Sequence, residues 1–312
     1  MERVLIVGAA GALGQVFTAR LAGAGAQVDV LVRPGRADEA RRGWTVWEIR
    51  RWRRARAVPV RPRSVITDVA EARGGDYDWV LLCVSSPALR EPWLGELAAA
   101  TGPAPIAMLG QAAGDRAAVA EAIGDARTVS IVTALLAWTA PLRDEAAEGI
   151  AFWVPPGSVR LVGGDPAAAG EVAGGLRAGG LRARYSRQAD RLGVRLAART
   201  IPLIVALESC GWSGAALRRS GRFGVAVRAA AEADAVLRGR GRRPSRTVAW
   251  PTRLGFRAAM AFPPFDAEAY VERHFTKVSA QSRLMLDEWI RGAESLGWEP
   301  AALRELASAL GD

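Results

Sequence analysis

The first thirty or so residues leave little freedom in what this chain can build. Arg3 to Val7 (R-V-L-I-V) is a short apolar run of strand length. Glycines follow at Gly8, Gly11 and Gly14, within G-A-A-G-A-L-G. Gln15 to Gly23 then reads as a helix ending in glycine, and Val28 to Val32 (V-D-V-L-V) as a second strand. Strand, glycine-rich turn, helix and strand make one β-α-β unit of the dinucleotide-binding kind. The turn needs glycine so that a pyrophosphate can reach the backbone, and the helix start offers N–H groups with no partner inside the helix. The spacing G-x-x-G-x-x-G is one residue looser than the commonest form. Gly8, Ala10, Gly11, Ala12, Leu13 and Gly14 are the expected cofactor contacts of this turn.

The end of the second strand selects the cofactor. An acidic residue there suits the ribose hydroxyls of NAD, and arginine suits the extra phosphate of NADP. Here the strand is followed by Arg33-Pro34-Gly35-Arg36, and Asp29 lies inside it. NADP(H) is the expected cofactor, with Arg33 and Arg36 as its phosphate contacts; the alternative is two plain turn residues.

Further apolar runs read as buried strands at Asp78–Val84, Ile106–Leu109 and Val129–Val132. Phe152–Val154 and Val159–Val162 flank Pro155-Pro156-Gly157, a pattern that predicts a hairpin. Ligands of a doubly wound sheet sit beyond the strand C-termini, which places Ser85, Ser86 and Gln111 near cofactor or substrate. From about Asp190 strand patterns give way to helical periodicity, with loops at 239–245 and 262–265. The expected architecture is α/β: an NADP-binding Rossmann-type domain over 1–187 and an all-helical domain for substrate and dimerisation over 188–312, with the catalytic cleft between them.

Composition excludes several classes. One histidine and two distant cysteines, Cys83 and Cys210, make no ordinary zinc site, so no metal is expected. No apolar run reaches membrane-spanning length, and no signal peptide precedes the first strand, so a cytoplasmic protein without a membrane partner is expected. The net charge is +10, with seven arginines between Arg50 and Arg63. No nucleic-acid motif accompanies them, so a solvated arginine face near a cofactor phosphate is the preferred reading and no nucleic-acid partner is expected.

The chain holds one lysine, and its 41 other basic residues apart from one histidine are arginine. That histidine and that lysine are His274 and Lys277. Lysine can give or take a proton by shifting its pKa, which arginine cannot do. On one helix His274, Lys277 and Gln281 would share a face at i, i+3 and i+7. A leftover surface lysine is the plainer alternative.

Some chemistries drop out. A tyrosine with lysine four residues on is absent, because Tyr77, Tyr185 and Tyr270 are followed there by Leu81, Ala189 and His274. A histidine in the middle of the chain for lactate-type chemistry is absent, as is G-x-S-x-G.

The whole chain resembles the ketopantoate reductase family. The resemblance rests on V-G-A-A-G-A-L-G-Q at Val7–Gln15, Val30–Arg33, the D-W-V-L-L-C-V strand, the loop at 110–115, Asp190-Arg-Leu-Gly-Val194 and the stretch from His274 to Gly297. It implies a two-domain NADPH-dependent reductase. It also implies departures at functional positions. The family's catalytic lysine and asparagines would correspond to Arg191, Arg195 and Arg199. Its asparagine-glycine loop is Gly110-Gln111-Ala112, its late glutamate falls near Gln281, and a cofactor-side lysine corresponds to Ser85. The chain is thus expected to be a divergent member acting on something other than ketopantoate.

The expected reaction is hydride transfer from NADPH to the carbonyl or imine carbon of a small oxo-acid-like or secondary-metabolite substrate. Lys277 is the expected acid with His274 second; Gln281 and Gln111 would orient substrate, and Arg191 and Arg195 would grip a carboxylate. The alternatives are a catalytically silent NADP-binding sensor and an opine-type condensing dehydrogenase. A homodimer is possible on this reading.

Overall fold

β1 (Arg3–Val7) is buried from Val4 onward on both faces, as a central strand covered on each side must be. The computed structural model describes residues 2–142, 148–239, 255–256, 258 and 260–310. After β1 come α1 (Ala12–Gly23), β2 (Gln27–Leu31), α2 (Ala37–Arg42), β3 (Trp44–Arg50), β4 (Arg53–Val60), β5 (Ser64–Ile66) and β6 (Trp79–Leu82). Then follow α3 (Trp93–Ala100), β7 (Ile106–Met108), α4 (Asp115–Ile123), β8 (Thr128–Val132), β9 (Leu136–Ala140) and β10 (Gly149–Trp153). β11 (Arg160–Gly163), α5 (Pro166–Ala178) and β12 (Ala183–Tyr185) complete the strand-bearing part.

The large sheet has the order β12-β11-β8-β7-β6-β1-β2-β5. It is parallel except that β11 runs antiparallel to β8. Strand order reverses between β1 and β6, which makes the C-terminal edge there a ligand crevice. The helix α1 begins at Ala12, one turn earlier than glycine content suggests, because Gly14 is needed inside it for close packing.

A second sheet, β4-β3-β10-β9, is not anticipated by the sequence reading. α1 packs against strands of both sheets, and its Phe17 shares one core with Val46, Ile150 and Phe152. Burying a side chain such as Phe17 stabilises the fold by roughly 1.5–3 kcal/mol. The arginine run proves to be the β3–β4 hairpin. Its inward positions Trp44, Val46 and Val60 are buried, while Arg53, Arg54 and Arg56 lie exposed on a strand at the sheet edge. Charged side chains on an edge strand keep it from pairing with other chains.

The expected hairpin about Pro155-Pro156-Gly157 is corrected. β10 pairs with β3 and β9 in the small sheet, and β11 with β8 and β12 in the large one. The turn passes from one sheet to the other, since each strand finds its buried partners in a different layer.

Among the described residues the rest is helical: α6 (Ala189–Glu208), α7 (Gly214–Arg219), α8 (Arg222–Leu237), α9 (Ala267–Lys277), α10 (Ser279–Ser295) and α11 (Ala301–Ala309). Leu203, Val205, Leu207, Met285, Trp289 and Leu303 belong to its core. The loop at 262–265 has no regular structure; of the one at 239–245, residues 240–245 lie outside the described residues. The chain forms two compact units, one of residues 1–110 with 115–190, the other of 111–114 with 191–312.

Asp29 is 2 % exposed within β2. It accepts from Arg63 at 2.8 and 2.5 Å and from the Tyr77 hydroxyl at 3.2 Å. Burial, with Asp29 close by, pushes the Tyr77 phenol up to about 12. The carboxylate is a structural anchor between β2 and the chain entering β5. Asp29→Asn leaves the guanidiniums of Arg63 and Arg3 and a phenol facing a neutral amide. Because Arg63 is partly exposed, the expected loss is about 2 kcal/mol rather than the full penalty of a broken buried pair. Urea unfolding of wild type and variant measures it; an unchanged midpoint would refute the anchoring role.

Candidate active site

The glycine turn is held by backbone approach. Gly8 has φ +75°, and a Cβ there would lie 2.7 Å from the Cys83 carbonyl oxygen. A Cβ on Gly14 would lie 2.5 Å from Ala9 Cα. Gly11 donates to the Gly8 carbonyl at 3.0 Å, and the first bond of α1 runs from Gln15 N–H to Gly11 O at 3.0 Å. The amides of Ala12, Leu13 and Gly14 therefore point out of the helix start with no acceptor in the helix. No acidic residue occupies that first turn and no side chain caps it. The positive end of the helix dipole is open to an anion. Gly11 is exposed, and Ala10, Ala12 and Leu13 are half-buried.

β2 ends at Leu31, and its one acid, Asp29, is committed to Arg63. Arg33 is exposed and makes no ion pair among the described residues. Arg36 is exposed and pairs with Glu39 at 2.7 Å, an i, i+3 contact of the weak surface kind. Cys83 donates to the Val7 carbonyl at 2.9 Å, which docks the loop after β6 beside the glycine turn. Its thiol is pushed up by burial and is no nucleophile. Ser85 is half-buried in this loop, whereas Ser86 is buried and donates to Asp115 at 2.7 Å. Gly8 to Gly14, Ser85 and Ser86 thus gather at the C-terminal edge of the large sheet, with Arg33 and Arg36 following β2.

The other candidates lie in the helical unit. Gln111 is exposed. Arg191 is exposed at the start of α6. Arg195 is turned inward: its Nε contacts Asp234 at 3.2 Å, and Arg238 contacts the other oxygen of that carboxylate at 2.6 Å. These partners hold the Asp234 carboxyl below its usual range against the effect of burial. Arg195, expected to grip a substrate carboxylate, thus has its Nε side engaged by a buried acid. α6 instead exposes Leu192 and Leu196, an i, i+4 pair that charge-based reading passed over.

His274, Lys277 and Gln281 do not share one helical face. α9 ends at Lys277, Val278 has φ −117° and ψ 24°, and Gln281 stands in the first turn of α10. The break removes the i+7 relation. His274 stacks on Tyr270 at 5.6 Å and meets Phe275 edge-on at 4.8 Å. Burial, followed by the positive charge of Lys277, lowers its imidazole to about 4. It is neutral near pH 7. Lys277 is exposed at the end of α9. No group of three His, Cys, Asp or Glu side chains suited to a metal occurs among the described residues. No described helix is long and apolar enough to cross a membrane.

Below its ordinary 6.5, the unfolded chain's imidazole takes up a proton that the folded one refuses until about pH 4. The native state therefore loses stability as pH falls through that window, by on the order of 1–3 kcal/mol. His274→Phe keeps a ring in the aromatic group and removes the titration. Chemical denaturation between pH 7 and 4 is expected to give the variant a flatter stability profile; parallel profiles would reject the assignment.

Comparison with known proteins fits this geometry. No curated protein matches the chain. Solved structures match over nearly its whole length. A PanE/ApbA family ketopantoate reductase from Ralstonia eutropha JMP134 is 20 % identical with TM-score 0.71, over 99 % of this chain and 96 % of its own. A 2-dehydropantoate 2-reductase from Geobacter metallireducens GS-15 is 19 % identical with TM-score 0.71, over 99 % and 98 %. D-mandelate dehydrogenase, solved with NADH and anilino(oxo)acetate, is 14 % identical with TM-score 0.72, over 98 % and 96 %. These likenesses concern the fold. Residues 4–171 match the family model for ketopantoate reductase PanE/ApbA, more than half of the chain, so the protein belongs to this family of oxidoreductases.

Proposed function

We propose that the protein is an NADPH-dependent reductase that delivers hydride to the carbonyl or imine carbon of a small oxo-acid-like or secondary-metabolite substrate. The observation that carries the cofactor choice is the end of β2. Its only acid is buried under Arg63, and the exposed Arg33 follows at the strand end. An exposed arginine suits a 2′-phosphate, and no carboxylate stands ready for a 2′-hydroxyl. Gly8, Ala10, Gly11, Ala12, Leu13 and Gly14 would hold the pyrophosphate, with Arg33 and Arg36 on the adenine side and Ser85 on the far side. The bound dinucleotide supplies the hydride.

The protein's own task is the proton. Reduction of a carbonyl leaves charge on oxygen, and a positioned acid must quench it. Lys277 serves here, because the imidazole of His274 carries no proton to spare near neutral pH. Arg191, Gln111 and Gln281 would orient substrate. We assign the dinucleotide and substrate roles to a Rossmann-type domain over 1–187 and a helical domain over 188–312. A second reading keeps NAD: D-mandelate dehydrogenase shares the fold and was solved with NADH. A cytoplasmic homodimer acting on a small molecule is the setting we infer.

Calorimetric titration is expected to give tighter binding of NADPH than of NADH, with Arg33→Ala closing the gap by about tenfold. NADH binding as tightly as NADPH would overturn the cofactor choice. On whichever 2-oxo acid, aldehyde or oxo-acid and amine pair is turned over, Lys277→Met should lower kcat roughly 10²–10⁴-fold with NADPH affinity unchanged. Unchanged turnover would remove Lys277 from the mechanism. NADPH binding without oxidation by any of them would favour a silent sensor.

A further inference from the structure

We propose that Asp115 is a positioning residue for the nicotinamide half of the dinucleotide, acting through the two loops it ties together. The proposal rests on the NADPH reading above. Asp115 is 1 % exposed and opens α4, where a carboxylate suits the helix start. One oxygen accepts from the Ser86 hydroxyl at 2.7 Å and the other from Arg90 Nη1 at 2.7 Å. The same Arg90 nitrogen donates to the Ser86 carbonyl at 2.7 Å. The loop after β6 is thus gripped by both side chain and backbone. Asp115 also lies against the end of β7, because a Cβ on Gly110 would come 2.7 Å from its Oδ2.

These contacts continue to the cofactor turn. Ser86 follows Cys83 by three residues, and the Cys83 carbonyl is the atom that a Cβ on Gly8 would strike. One buried carboxylate therefore links the end of β7, the loop after β6 and the glycine turn. A carboxylate this buried needs strong donors, and both of these come from 29 and 25 residues away rather than from its own helix. In a doubly wound sheet the adenine half of a dinucleotide lies on the β2 side of the switch point, and the other half on the β6 and β7 side. The contacts of Asp115 to Ser86, Arg90 and the end of β7 lie on the second side. Loosening them shifts the loops around the nicotinamide and leaves Arg33 and the end of β2 where they are.

The test titrates the full-length protein with NADPH and with adenosine 2′,5′-bisphosphate, which has the adenine-side phosphate and no nicotinamide. Asp115→Asn is expected to weaken NADPH about tenfold and the bisphosphate less than about twofold. Ser86→Ala keeps the Arg90 pair and guards against a misfolded first variant. It should weaken NADPH about threefold by the loss of one hydrogen bond, and Ser86→Thr should restore it. Equal weakening of both ligands means a merely structural role and overturns the proposal, as does no change for either. Wild-type protein that binds neither ligand fells the NADPH reading itself, and this proposal with it.

Discussion

Everything at the C-terminal edge of the large sheet depends on backbone meeting backbone at two glycines. Gly8 lies under the Cys83 carbonyl, and Gly14 lies on Ala9. The first contact seats the loop after β6 against the turn at the switch point. The second lets α1 start directly on β1, so its free amides face the crevice rather than a side chain. Because α1 also touches strands of the second sheet, the same two contacts set where β3 and β10 can pack. An added methyl at either position would displace backbone, which cannot give way as a flexible side chain can.

What the sequence could disclose follows from the range of the forces involved. β1, the turn and β2 were legible because glycine need and apolar burial are local properties of thirty or so residues. The β3–β4 hairpin was hidden by its own edge. Arginines at Arg53, Arg54 and Arg56 mask the alternation that Trp44, Val46 and Val60 carry. β10 and β11 read as a hairpin because two apolar runs around Pro-Pro-Gly satisfy every local rule. Their partners, β3 and β8, lie many residues away, and only tertiary burial assigns each strand to its sheet. The break at Val278 was equally invisible, since the apolar pattern runs on through it into α10.

Charge was read least well, for a physical reason. In a chain that uses arginine for nearly every positive position, residue type cannot separate an anion-binding guanidinium from a structural one. Burial of the nearest carboxylate can. Arg63 and Arg195 serve Asp29 and Asp234, acids that are almost wholly buried and would be costly if left unpaired. Arg33 and Arg191 are exposed and serve neither. The difference lies in partners contributed by distant segments, β2 for Arg63 and α8 for Arg195. No spacing rule within the arginine runs contains that information.

The lone histidine and lone lysine divide in the same way. Tyr270 and Phe275 pack against the half-buried His274, and the charge on Lys277 opposes a second cation beside it. An imidazole kept neutral is a poor proton donor near pH 7. In a chain with arginine at nearly every cationic position, the one lysine stands at the exposed end of α9. The break at Val278 ends α9 at Lys277 and places Gln281 in the first turn of α10, so the three polar side chains are carried by two helices rather than one.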